Sequence, residues 1–238
     1  MGYEELIEQN AAASAKVGSG MTAQDRPGRT RICLVRHGET EWNAGKRIQG
    51  QIDIPLSTLG HAQARATAQV LRDEGLAALY SSDLLRARQT AEAVAHVARL
   101  PVSIDPGMRE RHYGLFQGLS YGECEARYPA EYARHKARDV RFVPAGGESL
   151  LDFAGRLAEA FDAIVRRHAG ESVAIFTHGG VLDIVHRQAS GKPLTTSRDF
   201  AIPNCGLNWV EVEAGCWNLL SWAERDHLDR PLDELQHG

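Results

Sequence analysis

The chain has 238 residues, of which 43% are hydrophobic and 24% are charged, and its net charge is -4 at pH 7. These values are those of an ordinary globule with one α/β domain or two small ones, and they give no reason to expect a nucleic-acid partner. No stretch is apolar enough to span a bilayer, and the first 20 residues lack the pattern of a signal peptide. The four cysteines have no paired or zinc-like spacing, so a cytoplasmic protein is expected.

The predicted elements alternate between strands and helices. Residues 1–30 are predicted to be a flexible tail, because no apolar periodicity persists there. A buried strand is predicted at 32–35, followed by a loop to Pro55. The later elements are predicted as a helix from Ser57 or Thr58 to 74, a strand at 76–81, a helix at 84–99 capped by Asp83, a strand at 102–104, a helix at 120–138, a helix at 149–168, a strand at 172–177, a helix ending at Gly191, and a hairpin of 207–212 with 216–222.

This alternation predicts an α/β fold, a three-layer sandwich with a mostly parallel central sheet and helices on both faces. Residues 31–225 are expected to form one catalytic domain, and 226–238 a polar tail. The helical segment at 110–147 is predicted to be a lid insert.

Polar residues follow three of the predicted strands. Arg36 and His37 follow the first, Ser81 and Ser82 with Arg86 follow the second, and His178 with Gly179 follows the fourth. A further polar loop at 109–114 contains Glu110. Because ligands bind at the carboxyl ends of parallel strands, these side chains are expected to converge in one crevice.

Two histidines, two arginines and a carboxylate suit phosphoryl transfer. Guanidinium groups bind phosphate oxygens through paired, charge-assisted hydrogen bonds. A neutral imidazole can attack phosphorus, and a carboxylic acid can protonate the leaving alkoxide. Arginines can carry the charge compensation, so neither a metal nor a cofactor is expected, and the sequence contains no Walker loop and no His-Glu-x-x-His motif.

The run RHGETEWN at 36–43, followed by Gln49-Gly50 and PLSTLG at 55–60, resembles the opening signature of the histidine phosphatase superfamily, in its phosphoglycerate-mutase-like branch. The resemblance covers about 32–222. It implies that His37 is the phosphorylated nucleophile and that Glu110 protonates the leaving group and later activates water. It also implies a phosphate pocket of Arg36, Asn43, Arg86 and His178, with His178 stabilising the transition state, and a substrate site lined by Gln49, Gly50, Tyr113 and Gly179.

Two activities occur in this branch. Cofactor-dependent phosphoglycerate mutases have a longer insert with adjacent arginines, whereas Glu110 and His178 are here only 178 - 110 = 68 positions apart and 114–147 contains no adjacent arginine pair. The segments PAGGES at 144–149 and IPNC at 202–205 resemble the phosphatase members. We therefore predict a metal-independent phosphomonoester hydrolase that acts on small phosphorylated metabolites through a phosphohistidine, with a cofactor-dependent phosphoglycerate mutase as the alternative.

Other interpretations stay open at this point. A phosphoprotein-binding module without turnover would need the arginines but not Glu110. The insert is basic, which favours a small phosphorylated acid or sugar as substrate, although a solvated helix face is the simpler explanation of its basic residues, Arg127, Arg134, Lys136, Arg138 and Arg141. The resemblance also implies a homodimer. His112 is as well placed for a surface role as for the pocket, and Arg88 is expected on another side of its helix from Arg86. Structural or surface roles are expected for His61, His96, His135, His168, His186, His227 and His237.

Overall fold

A computed structural model of the chain describes residues 28–228. Most of the predicted N-terminal tail, the end of the C-terminal tail and His237 lie outside this range. Seven α-helices occur within it: α1 (Glu41–Ala44), α2 (Thr58–Leu71), α3 (Leu85–Ala98), α4 (Tyr121–Arg127), α5 (Pro129–Lys136), α6 (Leu150–Arg167) and α7 (Gly179–Ser190). The six strands are β1 (Thr30–Arg36), β2 (Ala78–Ser81), β3 (Val102–Ile104), β4 (Ser172–Thr177), β5 (Leu207–Glu213) and β6 (Cys216–Glu224).

The strands form one sheet in the order β3-β2-β4-β1-β5-β6. The first four of these pair in parallel, whereas β5 runs antiparallel to β1, and β6 runs antiparallel to β5. The predicted α/β fold with a mostly parallel sheet is therefore confirmed. The terminal hairpin adds the antiparallel edge.

Strand β1 shows why the sheet has helices on both faces. Ile32 and Leu34 pack into a core cluster with residues of α6 and α7. Cys33 and Val35 alternate with them and pack into a second cluster with residues of α2 and α3. Successive strand side chains point to opposite faces, so a strand covered on both sides reads as an unbroken apolar run. Burying each large aliphatic side chain contributes about 1.5–3 kcal/mol to the stability of the folded state. This burial favours a position of β1 in the interior of the molecule.

The predicted helix cap at Asp83 is wrong. Leu84 occupies the N-cap position of α3 without a side-chain cap, and the Asp83 carboxylate instead accepts two hydrogen bonds from Arg109. The free amide of Leu85 donates to Asp53 Oδ1 at 2.7 Å. The cap is therefore supplied by a loop 32 residues earlier in the chain, which local sequence patterns do not reveal.

The predicted single helix at 120–138 is in fact two helices. Tyr128 has φ -137° and ψ 57°, and Pro129 begins α5. Proline disfavours a helical residue before it but fits the first helical position, so it ends one helix and starts the next. The predicted capping box of Ser120 and Glu123 is present at the start of α4. Around these helices lies a third apolar cluster, made of Ile48, Phe116, Cys124, Tyr132 and Phe142.

Candidate active site

The three polar strand ends meet at the carboxyl edge of the sheet. In the parallel register, Arg36 lies opposite Thr177, and Ser81 lies opposite Phe176. The rings of His37 and His178, which follow β1 and β4, have centroids 5.4 Å apart. The topology therefore brings together residues that are more than 140 positions apart in sequence.

The hydrogen bonds of His37 define its tautomer. A guanidinium only donates, so the bond of 3.2 Å from Arg86 Nε to His37 Nε2 requires a lone pair on Nε2. The proton consequently resides on Nδ1, which donates to the carbonyl of Gly38 at 2.7 Å. Burial and the nearby positive charges of Arg86 and Arg36 lower the pKa of His37 well below its usual value. The ring is therefore neutral at pH 7, the form in which Nε2 is a nucleophile.

The peptide between His37 and Gly38 is held on both sides. Its carbonyl accepts a hydrogen bond of 2.8 Å from Asn204 Nδ2, and its N–H donates to Thr90 Oγ1 at 3.0 Å. A side chain on Gly38 would place its Cβ 2.5 Å from the carbonyl oxygen of Gly60. This close approach of two backbones requires glycine after His37.

Main-chain carbonyls hold the two guanidinium groups beside His37. Arg36 Nη1 donates to Ile202 at 2.8 Å. Arg86 donates to the carbonyls of Ile52 at 2.9 Å and Gly50 at 2.7 Å. Burial lowers the pKa of Arg86 to about 10, so it is still charged at pH 7. Carbonyl partners orient a guanidinium without neutralising it, which leaves a cationic pocket suited to a phosphate dianion.

Two backbone N–H groups fix the carboxyl group of Glu110. Oε1 accepts from Arg111 N at 2.7 Å, and Oε2 accepts from Gly180 N at 2.9 Å. Burial raises the pKa of Glu110 against the opposing effect of these hydrogen bonds and of Arg86. A Cβ on residue 180 would lie 2.1 Å from Glu110 Oε1. Gly180 is therefore needed for the carboxyl group to sit where it does.

His178 is fully buried at the start of α7. Its Nε2 is 2.9 Å from Ser82 Oγ, and its Nδ1 has no hydrogen-bond partner in the part of the chain that the structure describes. Burial, followed by the charge of Arg86, lowers the pKa of His178 well below its usual value.

A model of the histidine phosphatase superfamily (branch 1) matches residues 32–225 of this chain. The chain belongs to this superfamily. It is 39% identical over 212 residues to a metal-independent phosphoserine phosphatase of Arabidopsis thaliana, covering 88% of this chain and 87% of that one. It is 36% identical over 203 residues to phosphoglycerate mutase-like protein 4 of the same plant, covering 83% and 86%. A mycobacterial glucosyl-3-phosphoglycerate phosphatase has a similar structure, with a TM-score of 0.72 at 30% identity, covering 83% of this chain and 100% of that one.

A cavity of about 120 Å³ opens beside His37 in this histidine phosphatase. That volume is well below the roughly 300–1,000 Å³ of pockets for drug-sized ligands, so the space fits a small ester. The predicted site residues on its wall are Arg36, His37, Asn43, Gln49, Gly50, Arg86, Glu110, Tyr113 and Gly179. His178 does not line the cavity but lies buried beside the ring of His37.

The wall also contains Arg138, one of the basic residues of the insert, and residues that are not among the predicted site residues, namely Arg47, Ile48, Arg111, Tyr121, His135, Asp139, Leu150, Phe153, Gly180, Asp183 and Arg198. Asp183 could have been found, because it lies four residues after Gly179 on the same helix face. His135, for which a structural or surface role is expected, packs against Phe116 and Tyr132 and also lines the cavity. Burial and the charge of Arg111 lower its pKa to about 4.

The structural or surface positions expected for four other residues agree with the structure. His61 and His96 are exposed, His186 stacks on Phe200, and Arg88 is exposed beside Glu92. His112 does not line the cavity; its Nδ1 accepts from Gly114 N within a turn. Among residues 28–228, no three histidine, cysteine, aspartate or glutamate side chains lie close enough together to bind a metal ion. No helix in the same range is long and apolar enough to cross a membrane.

Proposed function

We propose that this protein is a metal-independent phosphatase that hydrolyses monoesters of small phosphorylated metabolites through a phosphohistidine at His37. The observation that carries the proposal is the neutral His37 ring, whose Nε2 atom lies 3.2 Å from Arg86 Nε inside a cationic pocket. A phosphate group entering between Arg86 and Arg36 would have its phosphorus next to this nitrogen. The charge of the transition state would then be spread over oxygens that face fixed donors.

In the first step, a phosphate oxygen takes over the hydrogen bond from Arg86 Nε, and Nε2 of His37 forms a bond to phosphorus as the bond from phosphorus to the ester oxygen breaks. Glu110 gives its proton to the leaving alkoxide, because burial favours its protonated form before the reaction. The phosphorylated ring keeps its Nδ1 proton, and the carbonyl of Gly38 stabilises the positive charge that the ring gains. The Nδ1 of His178, which has no hydrogen-bond partner among the described residues, can donate to an equatorial oxygen while Nε2 stays bonded to Ser82 Oγ.

In the second step, water attacks the phosphohistidine and the bond between nitrogen and phosphorus breaks. The carboxylate of Glu110 takes the proton from water, and inorganic phosphate leaves. His37 returns to its neutral form and Glu110 to its protonated form, so the cycle consumes one ester and one water. No step needs a metal ion, since Arg36 and Arg86 carry the positive charge.

Hydrolysis is favoured over mutase activity by the short segment between Glu110 and His178 and by the relative named as a phosphoserine phosphatase. Phosphoserine and glucosyl-3-phosphoglycerate appear in the names of similar proteins. Small phosphorylated metabolites are accordingly the substrate class that we propose. A lid function for 110–147, a homodimer and a cytoplasmic location stay predictions.

The test is phosphate release from a panel of metabolite esters and from 4-nitrophenyl phosphate, run beside an isomerisation assay with 3-phosphoglycerate. We expect phosphate release without isomerisation. Efficient conversion to 2-phosphoglycerate with little free phosphate would establish the mutase instead. Phosphate binding without turnover of any ester would establish a binding module.

A further inference from the structure

Asp183 is a buried residue of the cavity wall whose hydrogen bonding is incomplete. Its exposed fraction is 5%. Oδ2 accepts hydrogen bonds from Arg138 Nη2 at 2.6 Å and from Arg187 Nε at 3.1 Å. Oδ1 is buried and accepts no hydrogen bond from any of residues 28–228. Asp183 lines the cavity, and an unsatisfied buried oxygen is costly, so this residue has an unused capacity to accept a hydrogen bond there.

The position of Asp183 on α7 relates it to the reacting groups. Gly179 and Asp183 are four residues apart, so they lie on one face of the helix about 6 Å apart along its axis. Gly180, at the same end of α7 as Gly179, holds the carboxyl group of Glu110. A group bound by Asp183 would therefore belong to the alcohol part of an ester, a few bonds from the oxygen that Glu110 protonates.

The charges around Asp183 limit which donor fits. One carboxylate shared by the guanidiniums of Arg138 and Arg187 leaves a net charge of +1. Arg111 adds a further positive charge to the wall, and it has no carboxylate within ion-pair distance among the described residues. An ammonium group would be repelled by this surplus of positive charge, whereas a neutral hydroxyl group would not.

We propose that Asp183 is a specificity-determining residue that accepts a hydrogen bond from a hydroxyl group on the alcohol part of the substrate. This inference rests on the proposed phosphatase function and narrows its substrate class. Phosphate esters of hydroxylated acids or polyols are then better substrates than esters of amino alcohols.

The first test compares three esters with the wild-type protein. They share one carbon skeleton and carry at carbon 2 a hydroxyl group (3-phosphoglycerate), an ammonium group (O-phosphoserine) or only hydrogen (3-phosphooxypropanoate). We expect kcat/KM for the hydroxyl ester to exceed both others by about tenfold or more, mainly through KM, because binding of this group precedes the chemical step. Equal values, or a preference for the ammonium ester, would overturn the proposal.

The second test uses Asp183→Asn, which keeps the size of the side chain and one oxygen for the arginines. The preference for the hydroxyl ester over 3-phosphooxypropanoate should fall to about twofold or less. Because both esters are measured on one preparation, partial unfolding does not change this ratio. A ratio that stays at the wild-type value would refute the role of Asp183.

Asp139→Asn is the matched control. Asp139 also lines the cavity, but its two carboxylate oxygens already accept from Arg134 and from the amide of Arg141. This variant should keep the wild-type ratio, and an equal loss of preference would show that only the overall charge of the cavity matters. Turnover of 4-nitrophenyl phosphate by the wild-type protein separates the two possible failures. No turnover of any ester refutes the phosphatase itself, whereas turnover without hydroxyl preference refutes only the inference about Asp183.

Discussion

The two parts of the cavity wall are held in different ways. At the sheet edge, the guanidiniums of Arg36 and Arg86 donate to main-chain carbonyls, and backbone amides hold Glu110. On the wall formed by the insert and α7, Arg138 and Arg187 also donate to main-chain carbonyls, but there a carboxylate, that of Asp183, additionally pairs with both guanidiniums. Main-chain partners follow from the path of the chain and persist when neighbouring side chains change. A contact between two side chains, by contrast, can be changed by substituting either residue.

This contrast separates chemistry from recognition. The geometry of the reacting groups at the sheet edge is set once the fold is formed, because the strand ends and the start of α7 position them. Recognition of the alcohol part depends on the insert wall, where a single substitution changes charge and hydrogen bonding without moving the backbone. Substitutions at the sheet edge should therefore affect kcat for every ester, and those on the insert wall should affect the choice among esters.

The largest effect is expected from His37→Ala. Removal of the nucleophile should lower kcat for all esters by at least about 10⁴-fold, as for other covalent catalysts. Rapid acid-free quenching should detect a phosphorylated wild-type protein and no phosphorylated variant. His61→Ala, which changes an exposed histidine on α2, should leave kcat unchanged. A His37→Ala protein that keeps more than about 1% of activity would contradict the mechanism.

Gly180→Ala should lower kcat by about 10²-fold for alkyl esters, because the new Cβ would lie 2.1 Å from Glu110 Oε1 and displace the proton donor. The loss should be much smaller for 4-nitrophenyl phosphate, whose leaving group needs little protonation. Equal losses for both kinds of ester would contradict a proton-donor role for Glu110.

Gly155→Ala on α6 is the control for this change. No atom lies within 4 Å of the position of its Cβ, so a helical alanine fits there. We expect unchanged kcat and a gain in stability of about 0.4–1 kcal/mol, measured by denaturant unfolding.

Asn204→Asp tests whether the hydrogen bond from Asn204 to the carbonyl of His37 positions the catalytic histidine. The change replaces a donor to the His37 carbonyl by an oxygen, which should lower kcat by roughly tenfold and stability by about 1–3 kcal/mol. Asn208→Asp is the matched control, because Asn208 is equally buried and donates to the carbonyls of Leu34 and Gly206. It should cost similar stability but leave kcat of the folded protein within about twofold. Equal losses of kcat in the two variants would show that the contact to His37 has no special role.

The same division explains what the sequence could predict. The apolar run of β1 and the polar residues after each strand are local signals, and they sufficed for the sheet and for the convergence of His37, Arg86 and Glu110. Two features were not predicted from the sequence, for different reasons: the N-cap of α3 by Asp53 and the helix break at Pro129. The cap depends on a tertiary contact, which no local pattern contains. The break had a local signal, Pro129, but the capping box before it led to one continuous helix.

The insert wall was the least predictable part of the site. Asp183 had a signal in its spacing from Gly179, but its pairing with Arg138 joins residues 45 positions apart. His135 lies at the cavity with its ring packed against Tyr132 and Phe116 of the third apolar cluster. Side-chain packing of this kind depends on how α4 and α5 fold onto each other, and periodicity does not encode it.

The remaining prediction concerns the pH dependence of stability, through His135. Its pKa is about 4 in the folded protein, chiefly because burial opposes the charged ring, against about 6.5 in the unfolded chain. The unfolded chain therefore binds more protons between these values, so stability is present above about pH 6.5 and is lost as the pH falls toward 4. His135→Phe should flatten part of this decline in thermal unfolding curves recorded from pH 7 to pH 4.5, and His96→Phe, at an exposed position, should not. Parallel curves for the wild type and His135→Phe would mean that the ring stays accessible to protons in the folded state. The insert wall would then be looser than the sheet edge, and recognition of the alcohol part could not depend on fixed side chains there.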